Sequence, residues 1–367
     1  MKSNKKYFVV LILIFSLSFF CEEISPDEIS DGPYIFWQEN KAIIKYVFEN
    51  KFFFKEIAFQ NTEQIQFTIN EFEQSFLVSP QPHKNEPAIF KDVARIFVVS
   101  DVHGQYDRFV QILIANHIID EDLIWQWGDG HLVVLGDVLD RGPKVTEALW
   151  LIHQLEKQAE EKGGKVHFSL GNHEMMVLQE DTRYVHEKNK KTAEDYFKIT
   201  VTELFGDDTE FGRWLRTKNT IFKINDILFV HAGIYPTLME MELSLEKMNK
   251  IIRENLDTPR KVLKADDDLN FLFGSFGPFW YRGYFYDYKD LPILPEPEFE
   301  KILQEFRVSE MVVGHTTFDN IRTFYHDRLF AIDSGIKYGT EGEALVWKEG
   351  IFYRATAEGE WEILKDK

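Results

Sequence analysis

Apolar and polar positions alternate in two different ways along this chain. Between residues 34 and 78 the runs are short and rich in β-branched and aromatic residues: "YIFWQE", "KAIIKYVFE", "KFFFKEIAF", "QIQFTI" and "SFLV". Asn50 and Asn61 fall in the breaks and "PQPHKNEP" closes the stretch. That pattern predicts a small β module over residues 34–87. From residue 88 to residue 367 the order becomes strand, loop, helix. "RIFVVSD" leads into "QYDRFVQILIANHI", where Phe109, Ile112 and Leu113 share a helix face. "LIWQWGDGHLVVLGD" places two apolar runs around Gly-Asp-Gly, which predicts a hairpin. A helix follows with Pro143 in its first turn and Val145, Leu149, Ile152 and Leu155 as its stripe. "KVHFSLGN", "DILFVHAG", "EMVVGHT" and "RLFAIDSG" are further strand-like runs. Helical insertions separate them, including residues 238–256 with Met241, Leu245, Met248 and Ile252 at helical spacing. "EALVWKEGIFYRATAEGEWEIL" reads as a closing pair of strands.

Composition narrows the class. The chain is 44% hydrophobic, enough for a sizeable core, and its formal net charge of −19 argues against a nucleic-acid partner, which needs clustered cations. Cys21 is the single cysteine, so no intrachain disulfide forms. Lys2, Lys5 and Lys6 precede an apolar run over residues 8–20, shorter than a bilayer span. Residues 1–21 are therefore expected to be an export signal. Cys21 stands where a bacterial lipoprotein is acylated, although Phe20 replaces the small residue of the usual motif. The acidic residues 22–33 read as a linker. The expected location is exported, periplasmic or membrane-anchored, with membrane contact only through this signal or a lipid on Cys21.

The candidate chemistry lies where strands end. Five strand-like runs finish in potential metal ligands: Asp101 with His103, then Asp137, Asn172, His231 and His315. Singly, a strand-ending Asp is a turn or cap residue. Five ends with one grammar are hard to explain by turns, because open α/β folds place chemistry outside their strand ends. Carboxylates, an amide oxygen and imidazoles suit two ions of Mn, Fe or Zn rather than Ca. A carboxylate bridge suits the ~3.5–4 Å spacing of a two-metal site. Gly104, Gly136, Gly171, Gly233 and Gly314 beside these residues read as allowing close backbone approach or as simple turns.

"SDVHG", "GDVLDRG", "GNHE", "HAG" and "GHT", in that order, resemble the calcineurin-like metallophosphoesterases. The second and third motifs resemble the phosphoprotein phosphatase branch. "WLRTKNTIFKINDILFVHAGI", "GPFWYRG" and the "DGPYIF" opening are similar to the bacterial Shewanella-like protein phosphatases. The resemblance spans most of residues 32–339. It implies an α/β fold: a metallophosphoesterase β-sandwich of two mixed sheets flanked by helices, in place of the doubly wound sheet the strand pattern alone suggests. It also implies that Asp101 and His103 bind one metal, that Asp137 bridges, and that Asn172, His231 and His315 bind the other. His173 is then the general acid, Asp140 orients it, and Arg141 and Arg282 grip the phosphoryl oxygens. The implied chemistry is in-line attack of metal-bound hydroxide without a phosphoenzyme. Two departures stand out. Ser100 replaces the glycine usual before the first aspartate of phosphoprotein phosphatases. "VVGHT" differs from the eukaryotic version, so the regulatory partners of those enzymes do not carry over.

Substrate class stays open at this level. "GPFWYRGYFYDY" surrounds Arg282 with Phe279, Trp280, Tyr281, Tyr284, Phe285, Tyr286 and Tyr288. These rings read either as a pocket for a phosphotyrosine phenyl group in a phosphorylated protein or peptide, or as core packing. The alternatives to a protein phosphatase are a small-molecule phosphohydrolase such as a symmetrical dinucleoside tetraphosphatase, and a non-catalytic surface lipoprotein.

Overall fold

The computed structural model describes residues 28–60 and 64–366. The expected signal, Cys21 and most of the expected linker lie outside them. Two six-stranded mixed sheets face each other. In the first, strands Arg95–Val99, His131–Val134 and Lys165–Phe168 are parallel neighbours. Ala344–Lys348 joins Arg95–Val99 antiparallel, followed by Ile351–Ala355 and Trp361–Lys365. In the second, Ile227–Val230, Glu310–Val313 and Leu329–Ala331 run parallel. Ile221–Ile224 and Arg322–Phe324 flank them antiparallel, and Ile89–Phe90 forms an edge. This is the two-sheet sandwich that the resemblance implied.

Side-chain alternation explains why the sheets stack. In Arg95–Val99, Ile96 and Val98 enter the layer between the sheets with Phe222, Phe229, Val312 and Phe330. Phe97 and Val99 belong to the larger cluster that includes Phe109 and Leu113 of helix Tyr106–Ala115 and Leu149 of helix Val145–Glu161. Both faces are covered, so the strand reads as a continuous apolar run. Truncating one of the phenylalanines between the sheets would cost about 3–5 kcal/mol.

Three expectations are corrected. Residues 123–127 form no strand, and Trp125 makes only an isolated bridge with Ile119. Strand His131–Val134 is paired on both edges already, so it has no free edge for the hairpin, and Trp125 and Trp127 are buried in the core instead. The segment 238–256 is two helices, Thr237–Glu240 and Leu245–Glu254. The hydroxyl of Ser244 accepts from the Lys247 N–H at 3.3 Å and starts the second one anew. The closing pair is a trio of strands, because the chain returns once more over Trp361–Lys365.

The N-terminal β-rich segment comprises a three-stranded antiparallel sheet, Asp31–Gln38, Lys41–Phe48 and Lys51–Ala58, and a hairpin of Ile65–Ile69 with Gln74–Val78. Its first strand starts at Asp31 rather than at residue 34. Asp31 is buried and accepts from the Thr146 hydroxyl at 2.7 Å and the Asn189 amide at 3.1 Å. The Trp150 indole donates to the Pro33 carbonyl at 2.9 Å. The segment is thereby seated against helix Val145–Glu161, whose chain leads directly from Asp140 and Arg141.

Candidate metal centre and active site

The strand ends converge. Asp101 and His103 follow Arg95–Val99, Asp137 follows His131–Val134, and Asn172 opens helix Asn172–Leu178 after Lys165–Phe168. His231 and His315 follow Ile227–Val230 and Glu310–Val313 in the other sheet. All six are buried. Asp101, His103, Asp137 and His315 have φ of 54°, 47°, 57° and 64°. Such left-handed backbone costs about 1–3 kcal/mol per residue and collects at functional sites, where surrounding structure enforces it. A Cβ on Gly171 would lie 2.2 Å from Asp137 Oδ1, and one on Gly314 would lie 2.6 Å from Asp101 Oδ2. These two glycines clear space for the carboxylates. Gly233 instead makes room for the Tyr284 ring.

Asp137 is the common member. Its Oδ2 lies 3.2 Å from His231 Nε2, 3.6 Å from His103 Nε2 and 3.9 Å from His173 Nε2. Two groups able to hold a cation share it: His103, Asp137 and His173, and Asp137, His231 and His315. Asn172 Oδ1 is 3.1 Å from His231 Nε2, and Asp101 Oδ1 is 4.0 Å from His103 Nε2. His103 Nδ1 bonds the Leu139 carbonyl at 2.9 Å and His231 Nδ1 the Leu135 carbonyl at 2.8 Å. Such partners orient a ligating imidazole and leave Nε2 for the metal.

The electrostatics fit cations. His315 Nε2 is buried with no hydrogen-bond partner, a costly state that a metal would relieve. Burial, then the nearby Asp333 carboxylate, pushes Asp101 up to about 8. Burial opposes the charged form of His231, but Asp137 and Asp101 outweigh it and raise the group to about 9. Burial pulls His103 down to about 3. Closely packed carboxylates and imidazoles in one buried crevice form a cation-binding donor set.

Beside this cluster, His173 Nδ1 lies 2.7 Å from Asp140 Oδ2, and its Nε2 lies 3.4 Å from Arg141 Nη2. Burial disfavours the His173 imidazolium, but Asp137 and Asp140 outweigh it and raise its pKa. Arg141 is exposed. Arg282 is half-buried, with Nη1 donating to the His315 carbonyl at 2.7 Å and to Thr316 Oγ1 at 3.1 Å.

The Metallophos model, described as calcineurin-like phosphoesterase, matches residues 94–318, which contain the six candidate ligands with Asp140, Arg141, His173 and Arg282. The chain belongs to that family. A solved structure, the cold-active protein-tyrosine phosphatase of a psychrophile Shewanella species, superposes on this phosphoesterase with a TM-score of 0.84 at 38% identity. That match covers 92% of this chain and 99% of the other. Shewanella-like protein phosphatase 1 of Plasmodium berghei is 27% identical over 67% of this chain and 68% of its own. An uncharacterized protein of Schizosaccharomyces pombe is 29% identical over 76% of this chain and 85% of its own. Members of the family use two metal ions, and the clusters around Asp137 can hold them.

Sequence reasoning missed three residues of the phosphoesterase. Glu174, inside "GNHE", accepts the backbone N–H groups of Asp137, Val138, Leu139 and Gly171 at 2.8–3.0 Å. Asp333 ends strand Leu329–Ala331 with the same grammar as the ligands and was legible by that rule. Tyr184 packs on the His173 ring at 5.3 Å and under the Arg141 guanidinium at 5.1 Å, and is 43% exposed. Nothing near Tyr184 in sequence announces it.

The aromatic run divides. Phe279, Tyr281 and Tyr284 are buried core residues, with the Tyr284 hydroxyl donating to the Ile234 carbonyl at 2.7 Å. Phe285 packs on Phe318 and Phe324, and Tyr288 on Phe276 and Tyr281. Tyr286 is exposed. Of the seven, Trp280 is the one whose ring meets a candidate ligand, edge-on to His315 at 5.9 Å.

Proposed function

We propose that this phosphoesterase is a two-metal phosphomonoesterase of phosphorylated proteins, with phosphotyrosine as its preferred ester. The observation that carries the reading is the orientation of His173. Its Nδ1 is held by Asp140, and its Nε2 faces both the shared Asp137 carboxylate and Arg141. Asp101, His103, Asp137, Asn172, His231 and His315 would hold two cations, which would supply positive charge to the phosphoryl oxygens and lower the pKa of water.

The chain's own residues do the rest. Arg141 and Arg282 present N–H donors to the phosphoryl oxygens. His173 delivers its Nε2 proton to the ester oxygen as the P–O bond breaks and water adds to phosphorus, giving phosphate and a free hydroxyl. Asp140 keeps the Nδ1 proton in place, so the proton delivered comes from Nε2. Tyr184 beside His173 and Trp280 beside His315 offer apolar ring surface for a phenyl group. The likeness to the cold-active protein-tyrosine phosphatase supports the substrate class. The basic and apolar N-terminus supports an exported enzyme in the same proposal.

The test is phosphate release from phosphotyrosyl and phosphoseryl peptides after chelation and Mn²⁺ addition, with Asp137→Asn as control. Metal-dependent release favouring phosphotyrosine is expected. Equal turnover of the two peptides would remove the tyrosine preference. Hydrolysis confined to dinucleoside polyphosphates would replace the reading with a small-molecule phosphohydrolase.

A further inference from the structure

A second constellation lies outside this centre. His83, in the loop after the β-rich segment, His153 on helix Val145–Glu161 and Glu210 at the start of helix Glu210–Leu215 meet at one point. Both imidazoles present Nε2 to the same atom, Glu210 Oε1, each at 3.0 Å. The rings stand nearly perpendicular, 5.7 Å apart at 85°. The other oxygen, Oε2, accepts from the Trp37 indole at 2.8 Å, which fixes the carboxylate plane. His153 is eight residues into its helix from Val145, about 12 Å along the axis at 1.5 Å per residue.

We propose that His83, His153 and Glu210 form a further metal site, for zinc or another divalent ion of similar preference. The donor set of two imidazoles and one carboxylate is one that zinc takes in sites with an open position. Bonds of ~2.0–2.1 Å in a tetrahedron separate the donors by about 3.3 Å. The present separation of 3.0 Å from each nitrogen to the oxygen therefore needs to open by only a few tenths of an ångström. Loading the site exchanges two N–H···O bonds for three metal bonds, and each imidazole moves its proton from Nε2 to Nδ1. Trp37 serves as the orienting partner that ligating carboxylates require.

Access is provided. A groove of about 370 Å³ opens onto the three residues; Phe76, Leu77 and Val78 make much of its wall apolar, and Gln154, Lys157 and Gln158 add polar groups. Water or a ligand from this groove completes the coordination. The three donors come from three separate segments, and Trp37 comes from a fourth. A bound ion therefore clips the β-rich segment to the helix that leads back to Asp140 and Arg141.

The test is anomalous diffraction at the zinc edge from crystals of the wild-type protein grown with zinc, paired with thermal unfolding of wild type and His83→Gln with and without zinc. An anomalous peak among His83, His153 and Glu210, distinct from the peaks around Asp137, is expected. Part of the zinc-dependent rise in Tm is expected to vanish in His83→Gln. A wild-type map with zinc around Asp137 and none among these three residues would overturn the proposal, whatever the variant does. So would an undiminished zinc response in folded His83→Gln.

Discussion

His173 Nδ1 lies 2.7 Å from Asp140 Oδ2, so one buried carboxylate sets which nitrogen of the imidazole faces Asp137 and Arg141. A proton donated from Nε2 matters most where the departing oxygen is a poor leaving group. His173→Ala is therefore expected to lower kcat about 10²–10⁴-fold on alkyl phosphates. It should lower kcat far less on p-nitrophenyl phosphate, whose leaving group needs no proton. Asp140→Asn should show the same selectivity with a smaller loss. Equal losses on both esters, measured by steady-state kinetics, would count against proton delivery by His173.

Glu174 touches no phosphoryl group in this reading, yet four backbone N–H groups converge on its carboxylate. Glu174→Gln replaces one acceptor oxygen with an amide donor facing those N–H groups. The expected cost is on the order of 3 kcal/mol of stability, from buried donors left unpaired. Asp137 would also lose its fixed position. Calorimetry should report a lower Tm, and elemental analysis a lower metal content. Retention of both would show the loop to be held by other contacts.

Metal removal should make stability depend on pH in a defined direction. Asp101 is raised to about 8 and His231 to about 9. A group whose folded pKa lies above its unfolded value contributes stability fully present below the unfolded pKa, and lost as pH rises through the folded one. His103 and His315 are shifted downward, so their losses occur on acidification below about pH 6.5. Between about pH 7 and about pH 9 Asp101 and His231 act together with His173, which is also raised, and all three lose stability as pH rises. The Tm of chelated protein is expected to fall across that window, while bound cations keep Asp101 ionised and flatten the curve. Parallel curves with and without metal would contradict this electrostatic account.

Tyr184 and Trp280 offer a test of ester preference that leaves the metal ligands untouched. An aromatic contact is worth about 0.5–1.5 kcal/mol beyond area burial. Tyr184→Ala should lower kcat/KM on a phosphotyrosyl peptide about 2- to 10-fold more than on its phosphoseryl counterpart, with Tyr184→Phe close to wild type. Trp280→Leu should act in the same sense. Equal effects on both peptides would mean that these rings only support His173 and His315.

Much of the candidate site was legible because its chemistry sits at strand ends, where local grammar is strongest. "VVSDVHG" and "VVGHT" each show an apolar run breaking into a potential ligand, and both runs are strands that deliver Asp101, His103 and His315. The aromatic run was not legible in the same way. Phe279, Trp280, Tyr281 and Tyr284 are alike in composition, and only packing separates the buried three from the ring beside His315. The expected hairpin failed for a related reason. Gly-Asp-Gly is a sound turn, but both edges of His131–Val134 were taken by strands distant in sequence.

By itself, the sequence determined the periodicity of most elements, the identity of the residues at the strand ends and a formal net charge of −19. These follow from local sterics, burial preference and composition, which act over a few residues at a time. Tertiary structure alone decided that Asp137 is shared by two donor groups, that Tyr184 lies against His173, and that His83, His153 and Glu210 share one oxygen. Those relationships join residues 11 to 178 positions apart. No local rule reaches across such a span, and only the stacking of two sheets and their helices closes it.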